Sequence, residues 1–426
     1  MKKPFERYHA AVAYIEGLSN IPTKIDYMTG SSKPSIHLDR MRDFLSLIGN
    51  PEHGFKYLHI TGTAGKGSVT NALHSVLHAS GAVVGSYTSP FCTTSIEKIK
   101  VGDEYIDPEV FADIVEYLKP FIDVAYLKSE YGRPSYFEIF LAISLLYFQQ
   151  KRCEWVVLEV GCGGRYDATN VIPSPVCAVV TNIDYDHTRI LGKTLKKIAH
   201  DKAGIIKTGC AFFTAEQRPA LKKIFSEVCH TLNVPMKTIP PQVSYREYNH
   251  LLVTAVATHV GCAESALARG LSQAKLPCRF EEMSNSPTII LDGAHNRSKI
   301  RSVINNLSTR TYQKLHLVLG LADNKDDTKI LPELIPLADS LYVTRFQVSG
   351  RHCQSPKSLS EHIVLYQKPD ASQYTFLCPH NALEAAVRAA SSRDLILVTG
   401  SFYLAGELRQ RWYGEDWILR HRRSFK

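Results

Sequence analysis

The chain has 426 residues, of which 44% are hydrophobic and 21% charged, a composition typical of a globular protein with two or three domains. Its formal charge of +9 suits anionic ligands, but the basic residues are dispersed, which argues against a nucleic-acid partner. No segment holds the ~18 uninterrupted apolar residues of a membrane span, and the N-terminus lacks the apolar core of a signal peptide. We therefore expect a cytoplasmic protein with no membrane partner.

The ten cysteines are scattered along the chain and form no Cys-x-x-Cys pair. This spacing indicates neither a disulfide framework nor a zinc ribbon, so we expect reduced thiols.

A glycine-rich loop at residues 62–68 reads Gly-Thr-Ala-Gly-Lys-Gly-Ser. The apolar run before it predicts a buried strand, and residues 69–77 after it show helical spacing that stops at Gly81. Backbone N–H groups of such a loop point into one concavity, Lys66 supplies a cation and Ser68 offers a hydroxyl to magnesium. The candidate nucleotide-binding residues are Gly62, Thr63, Gly65, Lys66, Gly67 and Ser68. The loop predicts a nucleoside triphosphate site, although a tight strand-to-helix turn without nucleotide remains the alternative.

Strands and helices alternate after this loop, which predicts a mostly parallel sheet covered by helices. Residues 155–160 and 176–181 read as two buried strands that end in glycine-rich or polar loops. Ligands of open α/β sheets bind outside the carboxyl ends of the strands. We therefore expect Glu159 and residues 182–187 to face the same crevice as the phosphate loop.

A second set of strands is predicted at residues 288–291, 315–319, 341–343 and 395–398. It follows a proline-containing segment at residues 274–280, so we predict domains at 1–280 and 281–426. Residues 292–296, Asp-Gly-Ala-His-Asn, form another polar strand exit in the second domain. Taken alone, each such cluster is as typical of a structural ion pair or a surface turn as of a functional site.

Further short motifs complete an ordered series along the chain. They lie at residues 37–41, 62–68, 88–90, 97–99, 158–161, 163–170, 186–187, 202–205, 292–296, 320–326 and 399–402. In this order the motifs resemble the Mur ligase superfamily, and within it the folylpolyglutamate synthase and dihydrofolate synthase branch.

The resemblance implies an α/β protein with a P-loop-type, mostly parallel N-terminal ATPase domain and a smaller Rossmann-like C-terminal domain. It also implies an ATP-dependent carboxylate–amine ligase with its active site in the cleft between them. In this family a folate or dihydropteroate carboxylate is activated as an acyl phosphate, which the amine of L-glutamate attacks. The expected substrates are a pterin acid or folate, L-glutamate and ATP, and we expect a monomer.

The same resemblance assigns roles to individual residues. Lys66, Glu159, His187 and Lys202 are the implied catalytic residues. Two magnesium ions are implied, one at Ser68 and a second held by Ser89, Glu159 and His187. Lys202 matches the lysine that the family carbamylates, and the implied ATP contacts of the second domain are Arg279, Asp292, His295 and Asn296.

Four positions depart from the family pattern. Ala64 stands in place of a loop asparagine, Phe91 and Cys92 in place of His-Leu, and Cys278 in place of the glycine before Arg279. Substrate identity is therefore less closely defined than ATP use. The alternatives are a Mur-type ligase for a non-folate acid and a nucleotide-binding scaffold without ligase activity.

Overall fold

The computed structural model describes residues 4–21, 34–242, 244–348 and 351–426. These residues form two compact units. The first unit contains the described residues up to Phe91, Ser95–Lys275 and Leu419–Arg423, and the second contains Cys92–Thr94, Leu276–Ile418 and Ser424–Lys426. The main segment of the second unit thus begins at Leu276. The domain bounds 1–280 and 281–426 stay a prediction from the sequence. Residues 1–3, part of the stretch in which no signal peptide was expected, lie outside the described residues.

Eight strands, within the described ranges, form the sheet of the first unit: β1 (Lys56–Thr61), β2 (Val84–Tyr87), β3 (Ile99–Val101), β4 (Glu104–Tyr105), β5 (Trp155–Glu159), β6 (Cys177–Val180), β7 (Ala211–Thr214) and β8 (Met236–Thr238). Their order is β4-β3-β2-β5-β1-β6-β7-β8. The strands from β2 across to β8 in this order pair in parallel, whereas β3 and β4 pair antiparallel at one edge.

The helices of the first unit cover this sheet. They are α1 (Glu6–Gly17), α2 (Ile36–Leu47), α3 (Lys66–Ala79), α4 (Pro108–Lys128), α5 (Tyr136–Gln150), α6 (Thr188–Leu191), α7 (Leu195–Lys202), α8 (Pro219–Leu232), α9 (Tyr245–His259) and α10 (Glu264–Gln273). Helix α3 buries Val69, Leu73 and Val76, which recur at helical spacing, in a core shared with β1. It also approaches α10 closely, since a Cβ at Gly270 would overlap the backbone of Val76. The helix after the phosphate loop is therefore firmly packed.

Six strands, counted over the same described residues, form the sheet of the second unit: β9 (Glu281–Asn285), β10 (Thr288–Leu291), β11 (Leu315–Leu319), β12 (Ser340–Val343), β13 (Ser372–Thr375) and β14 (Leu395–Thr399). Their order is β13-β12-β11-β14-β10-β9, and only β9 pairs antiparallel. The remaining helices are α11 (Arg297–Leu307), α12 (Leu331–Leu334), α13 (Pro356–Ile363), α14 (Pro379–Ala389), α15 (Phe402–Arg409) and α16 (Glu415–His421). The predicted α/β class, with a large parallel-rich sheet and a smaller second sheet, is confirmed.

Among the described helices, none combines the length and the apolar character needed to cross a membrane.

Candidate active site

The polar loops of the first unit leave neighbouring parallel strands at the same edge of the sheet. Ile60 of β1 pairs with Glu159 of β5, and Thr61 pairs with Val180 of β6. On the other side of β5, Tyr87 of β2 pairs with Leu158. The phosphate loop, Glu159, Ser89 and residues 182–187 therefore follow adjacent strand ends, as the alternating pattern of strands and helices predicts.

The phosphate loop needs glycine at two positions. Gly62 has φ +149°, and a Cβ there would overlap Thr181 Oγ1. Gly65 has φ +82° directly before α3, and its Cβ would lie 2.8 Å from Asn249 Oδ1. These bare backbones leave N–H groups at the N-terminus of a helix, where an anion is stabilised.

Side chains from the loop after β6 hold the phosphate loop in place. Asn182 Oδ1 accepts a hydrogen bond from Ala64 N at 2.8 Å, and Thr181 Oγ1 donates one to Ala64 O at 2.6 Å. Thr63 Oγ1 donates to Asp184 O at 3.1 Å and accepts from Asp184 N at 2.8 Å. Ala64 thus participates through its backbone, which the departure from asparagine leaves unchanged.

Two lysines meet at one backbone carbonyl beneath this loop. Lys66 Nζ donates to Gly62 O at 3.0 Å, and Lys202 Nζ donates to the same oxygen at 3.1 Å. Lys202 is 4% exposed. Burial, and then the positive charge of Lys66, lowers the pKa of Lys202 to about 8. Two cations are therefore concentrated where a polyphosphate would be bound, and one of them loses its proton easily.

Glu159 and Ser89 are in direct contact at the same edge. Glu159 is 5% exposed, and its Oε2 accepts a hydrogen bond from Ser89 N at 3.2 Å. His187 has φ +49°, and Asp186 Oδ1 accepts from its backbone N at 3.1 Å and lies 3.9 Å from its Nε2. The contact orients the glutamate toward the loop that contains Ser89.

The donor atoms at this edge match the chemistry of magnesium. Magnesium prefers oxygen ligands and keeps several waters, and Ser68, Ser89 and Glu159 supply hydroxyl and carboxylate oxygens. Nowhere in the described part of the chain are three or more His, Cys, Asp or Glu side chains arranged to hold a metal. A metal here would therefore use hydroxyls, one carboxylate, His187 and phosphate oxygens, and this ligand set remains a prediction.

The glycine-rich loop after β5 rests on a buried hydrogen-bond network. Asp167 accepts from Cys162 N at 2.9 Å, from Thr169 N at 3.0 Å and from Thr169 Oγ1 at 2.5 Å. His59 Nε2 lies 2.8 Å from Thr169 Oγ1, and burial lowers the pKa of His59 to about 3, so this imidazole is neutral. A Cβ at Gly164 would lie 2.9 Å from Lys202 Cα, so the loop lies directly against the backbone of Lys202.

In the second unit the four predicted nucleotide contacts cluster at the exit of β10. Asp292 Oδ2 accepts from Phe280 N and Oδ1 from Ala294 N, both at 2.7 Å. Burial raises the pKa of Asp292, an effect that the charge of Arg279 opposes. The Arg279 guanidinium lies 4.8 Å from the centre of the Phe402 ring. The buried carboxylate of Asp292 therefore links the segment around Phe280 to the residues that follow β10.

His295 and Asn296 begin the helix that follows. Nδ1 of His295 is 2.8 Å from Gly293 O and Nε2 is 3.0 Å from Lys299 Nζ. A carbonyl only accepts, so Nδ1 bears the proton and Nε2 accepts from the ammonium. The side chain of Asn296 caps α11 by accepting from Lys299 N at 3.0 Å.

Sequence reasoning gave no role to Asn249 or His59, and it included Thr169 only within the motif at residues 163–170. Asn249 lies in α9, far along the chain from the phosphate loop. His59 lies inside a buried strand, and its partner Thr169 is 110 residues away. No local sequence signal identifies these contacts.

Two family models match this chain. The Mur ligase middle domain matches residues 60–224, and the Mur ligase glutamate ligase domain matches residues 278–402. The chain belongs to the Mur ligase family. The predicted resemblance is confirmed. The first match contains the phosphate loop, Glu159 and Lys202, and the second contains Arg279 and residues 292–296.

Individual relatives agree with this assignment over nearly the whole chain. The dihydrofolate synthase/folylpolyglutamate synthase of Bacillus subtilis is 29% identical over 88% of this chain and 94% of its own. The crystal structure of folylpolyglutamate synthase from Thermotoga maritima is 29% identical, with a TM-score of 0.78 over 96% of this chain and 100% of its own. A bifunctional folylpolyglutamate synthase/dihydrofolate synthase from Yersinia pestis, in complex with AMPPNP and a manganese ion, shares the fold at 24% identity and a TM-score of 0.79, over 96% of this chain and 99% of its own.

Proposed function

We propose that this protein is an ATP-dependent ligase that joins the amino group of L-glutamate to the carboxylate of a folate or dihydropteroate acid, releasing ADP and phosphate. The observation on which this rests is the phosphate loop with Lys66 and Lys202 converging on Gly62 O, beside the strand end of Glu159. The names of the relatives support the choice of substrates.

Nucleotide binding follows from the loop geometry. The backbone N–H groups around Gly65 and the N-terminus of α3 would accept the phosphates of ATP. Lys66 would exchange its contact with Gly62 O for a phosphate oxygen, a stronger partner because it is charged. We further propose that Arg279, Asp292, His295 and Asn296 contribute ATP contacts from the second unit, as their clustering at one strand exit suggests.

Carboxylate activation requires two anions to approach each other. Ser68 would hold one magnesium ion, and Ser89, Glu159 and His187 a second; when bound, the ions would supply positive charge that offsets the repulsion between the two anions. The buried Glu159 is oriented for this by Ser89 N. The substrate carboxylate would then take the γ-phosphoryl group, and the amine of L-glutamate would attack the resulting acyl phosphate and displace phosphate.

Lys202 is the candidate for covalent modification. With its pKa lowered to about 8, about one Lys202 side chain in ten is neutral at pH 7. A neutral amine can add to carbon dioxide, forming an N–C bond and releasing one proton. The resulting carbamate would convert a repelled ammonium into an anion that suits a metal site.

The proposal is tested by phosphate release from ATP. We expect release that depends on both a pterin acid and L-glutamate, in a protein that we also propose to be a cytoplasmic monomer. Release with a non-folate acid in place of the pterin acid would indicate another Mur-type ligase. Acceptor-independent hydrolysis, or none, would contradict the ligase assignment.

A further inference from the structure

Two cysteines of the second unit are in direct contact. The sulfurs of Cys92 and Cys278 lie 2.9 Å apart, although the residues are separated by 186 positions in the chain. Both residues are thiols, Cys278 is fully buried, and Cys92 is partly exposed. Cys92 is therefore the more accessible residue of the pair, and Cys278 lies in contact with it.

The surroundings hold both residues in this arrangement. Cys278 N donates to Glu281 Oε2 at 2.8 Å, and its carbonyl accepts from Gly293 N at 2.9 Å. Glu281 is itself bound by the buried Arg409 at 2.8 Å. On the other side, a Cβ at Gly406 would overlap the carbonyl oxygen of Cys92, so this segment lies tightly against α15. The contact between the sulfurs is therefore part of a packed core.

The backbone at Cys278 is strained for a side chain. Its φ is +53°, in the left-handed region, which a non-glycine residue adopts less readily than glycine. Phe280 is also left-handed, with φ +50°, so Arg279 lies between two such residues. A chemical change at Cys278 thus acts on the turn that orients Arg279.

We propose that Cys92 and Cys278 form an oxidation-sensitive thiol pair, whose conversion to a disulfide by a peroxide slows ligation. The Cys92 thiol releases its proton and the thiolate attacks hydrogen peroxide; the O–O bond breaks, a sulfenic acid forms, and the leaving hydroxide takes up the released proton to become water. The Cys278 sulfur then attacks the Cys92 sulfur, the S–O bond breaks, and a second water leaves with the thiol proton. Two electrons pass from the sulfurs to the peroxide, and dithiothreitol reverses the reaction.

The order of these steps follows from burial. Burial, reinforced by the adjacent Cys92 thiol, raises the pKa of Cys278 well above its ordinary value, which disfavours its thiolate. Cys92 is therefore the residue that meets the oxidant, and Cys278 resolves it. Because the new bond draws the sulfurs closer than 2.9 Å, it displaces the turn that contains Arg279.

The experiment maps disulfides in the full-length protein after titration with hydrogen peroxide. Non-reducing peptide mapping by mass spectrometry is expected to find Cys92 linked to Cys278 at peroxide doses that leave the partly exposed thiols of Cys353 and Cys378 unmodified. Cys353→Ser, the matched control, is expected to form the same link, whereas Cys92→Ser forms none. Oxidation of Cys353 or Cys378 without the Cys92–Cys278 link would overturn the proposal.

Ligation kinetics test whether the disulfide affects Arg279. This second experiment rests on the proposed function. The KM for ATP in the ligation reaction is expected to be roughly tenfold higher in oxidised than in reduced wild type. Displacements of about 1 Å at a site have effects of this size or larger. Dithiothreitol should restore the lower KM, and Cys92→Ser treated with peroxide should not change. Unaltered kinetics in fully cross-linked protein would refute the coupling. An inactive reduced protein would count against the ligase function alone, since peptide mapping decides the disulfide independently.

Discussion

Replacement of Lys202 by methionine should make the protein more stable and nearly inactive. At about 1.4 kcal/mol per pKa unit, the drop from 10.5 to about 8 corresponds to about 3 kcal/mol of destabilisation by the buried ammonium at neutral pH. The variant loses one hydrogen bond, but Gly62 O still accepts from Lys66. We therefore expect the free energy of unfolding to rise by about 1–3 kcal/mol at pH 7 in buffer free of carbon dioxide.

The sign of this effect sets its pH dependence. Below pH 8 the folded and unfolded chains both hold the Lys202 proton, so the destabilisation is constant. Between pH 8 and 10.5 the unfolded chain binds more protons at this position than the folded chain, so wild-type stability rises with pH relative to the variant. The advantage of Lys202→Met should therefore shrink as the pH is raised from 8 toward 10.5 in denaturant titrations.

Lys207 supplies the matched control. Its pKa is also lowered to about 8, mainly by burial, but its ammonium donates to Asn170 O at 2.8 Å and to Ile172 O at 2.5 Å. Lys207→Met removes a similarly buried charge but leaves these two carbonyls without that donor, so we expect it to gain less stability than Lys202→Met, or none. Equal destabilisation in both variants would refute the reasoning from charge burial.

Activity separates the catalytic role of Lys202 from its effect on stability. Ligation should be mostly lost in Lys202→Met and in Lys202→Ala. In Lys202→Ala, acetate or formate should restore part of it by occupying the vacated anionic position. Full activity of Lys202→Ala in bicarbonate-free buffer would rule out a catalytic carbamate.

Three further substitutions test the phosphate loop and its support. Lys66→Ala should lower ligation at least roughly tenfold with an unchanged circular dichroism spectrum, because one transition-state charge contact contributes several kcal/mol; wild-type turnover would contradict its role. Gly62→Ala should abolish ATP binding in calorimetry because its Cβ overlaps Thr181, whereas Gly81→Ala, also at positive φ but with open space around it, should only lose stability; equal ATP affinity in the two would refute the steric argument. Asp167→Asn should lower the free energy of unfolding by about 1–3 kcal/mol, because its amide N–H group would face backbone N–H donors that bind a carboxylate in the wild type. Asp113→Asn, at an exposed position, is the control. Equal free energies of unfolding in the two variants would argue against the network.

Much of the site follows from local sequence patterns. The glycine loop is predictable because strand, glycines, lysine and helix are contiguous, and parallel strands bring Glu159 and residues 182–187 to the same edge. The convergence of Lys66 and Lys202 on Gly62 O is not predictable in this way, since Lys202 is 140 residues from Gly62. It depends on long-range packing, in which the glycine-rich loop after β5 lies against the backbone of Lys202.

The second unit shows the same limit. The polar residues after β10 are predictable from the sequence, because they follow a buried strand. The assignment of Cys92–Thr94 to the second unit is not predictable, because these residues lie within a stretch that otherwise belongs to the first unit. The contact of Cys92 with Cys278 depends on that long-range packing and leaves no periodic signal in either segment.

Mass spectrometry of reaction products tests the central claim most directly. Wild-type protein is incubated with dihydropteroate, a reduced folate, ATP and L-glutamate, with Lys66→Ala as the matched control. The account predicts a pterin product heavier by one glutamate residue, formed with ADP and phosphate by the wild type and strongly diminished in Lys66→Ala. Hydrolysis of ATP without any glutamate adduct of either pterin acid would contradict it.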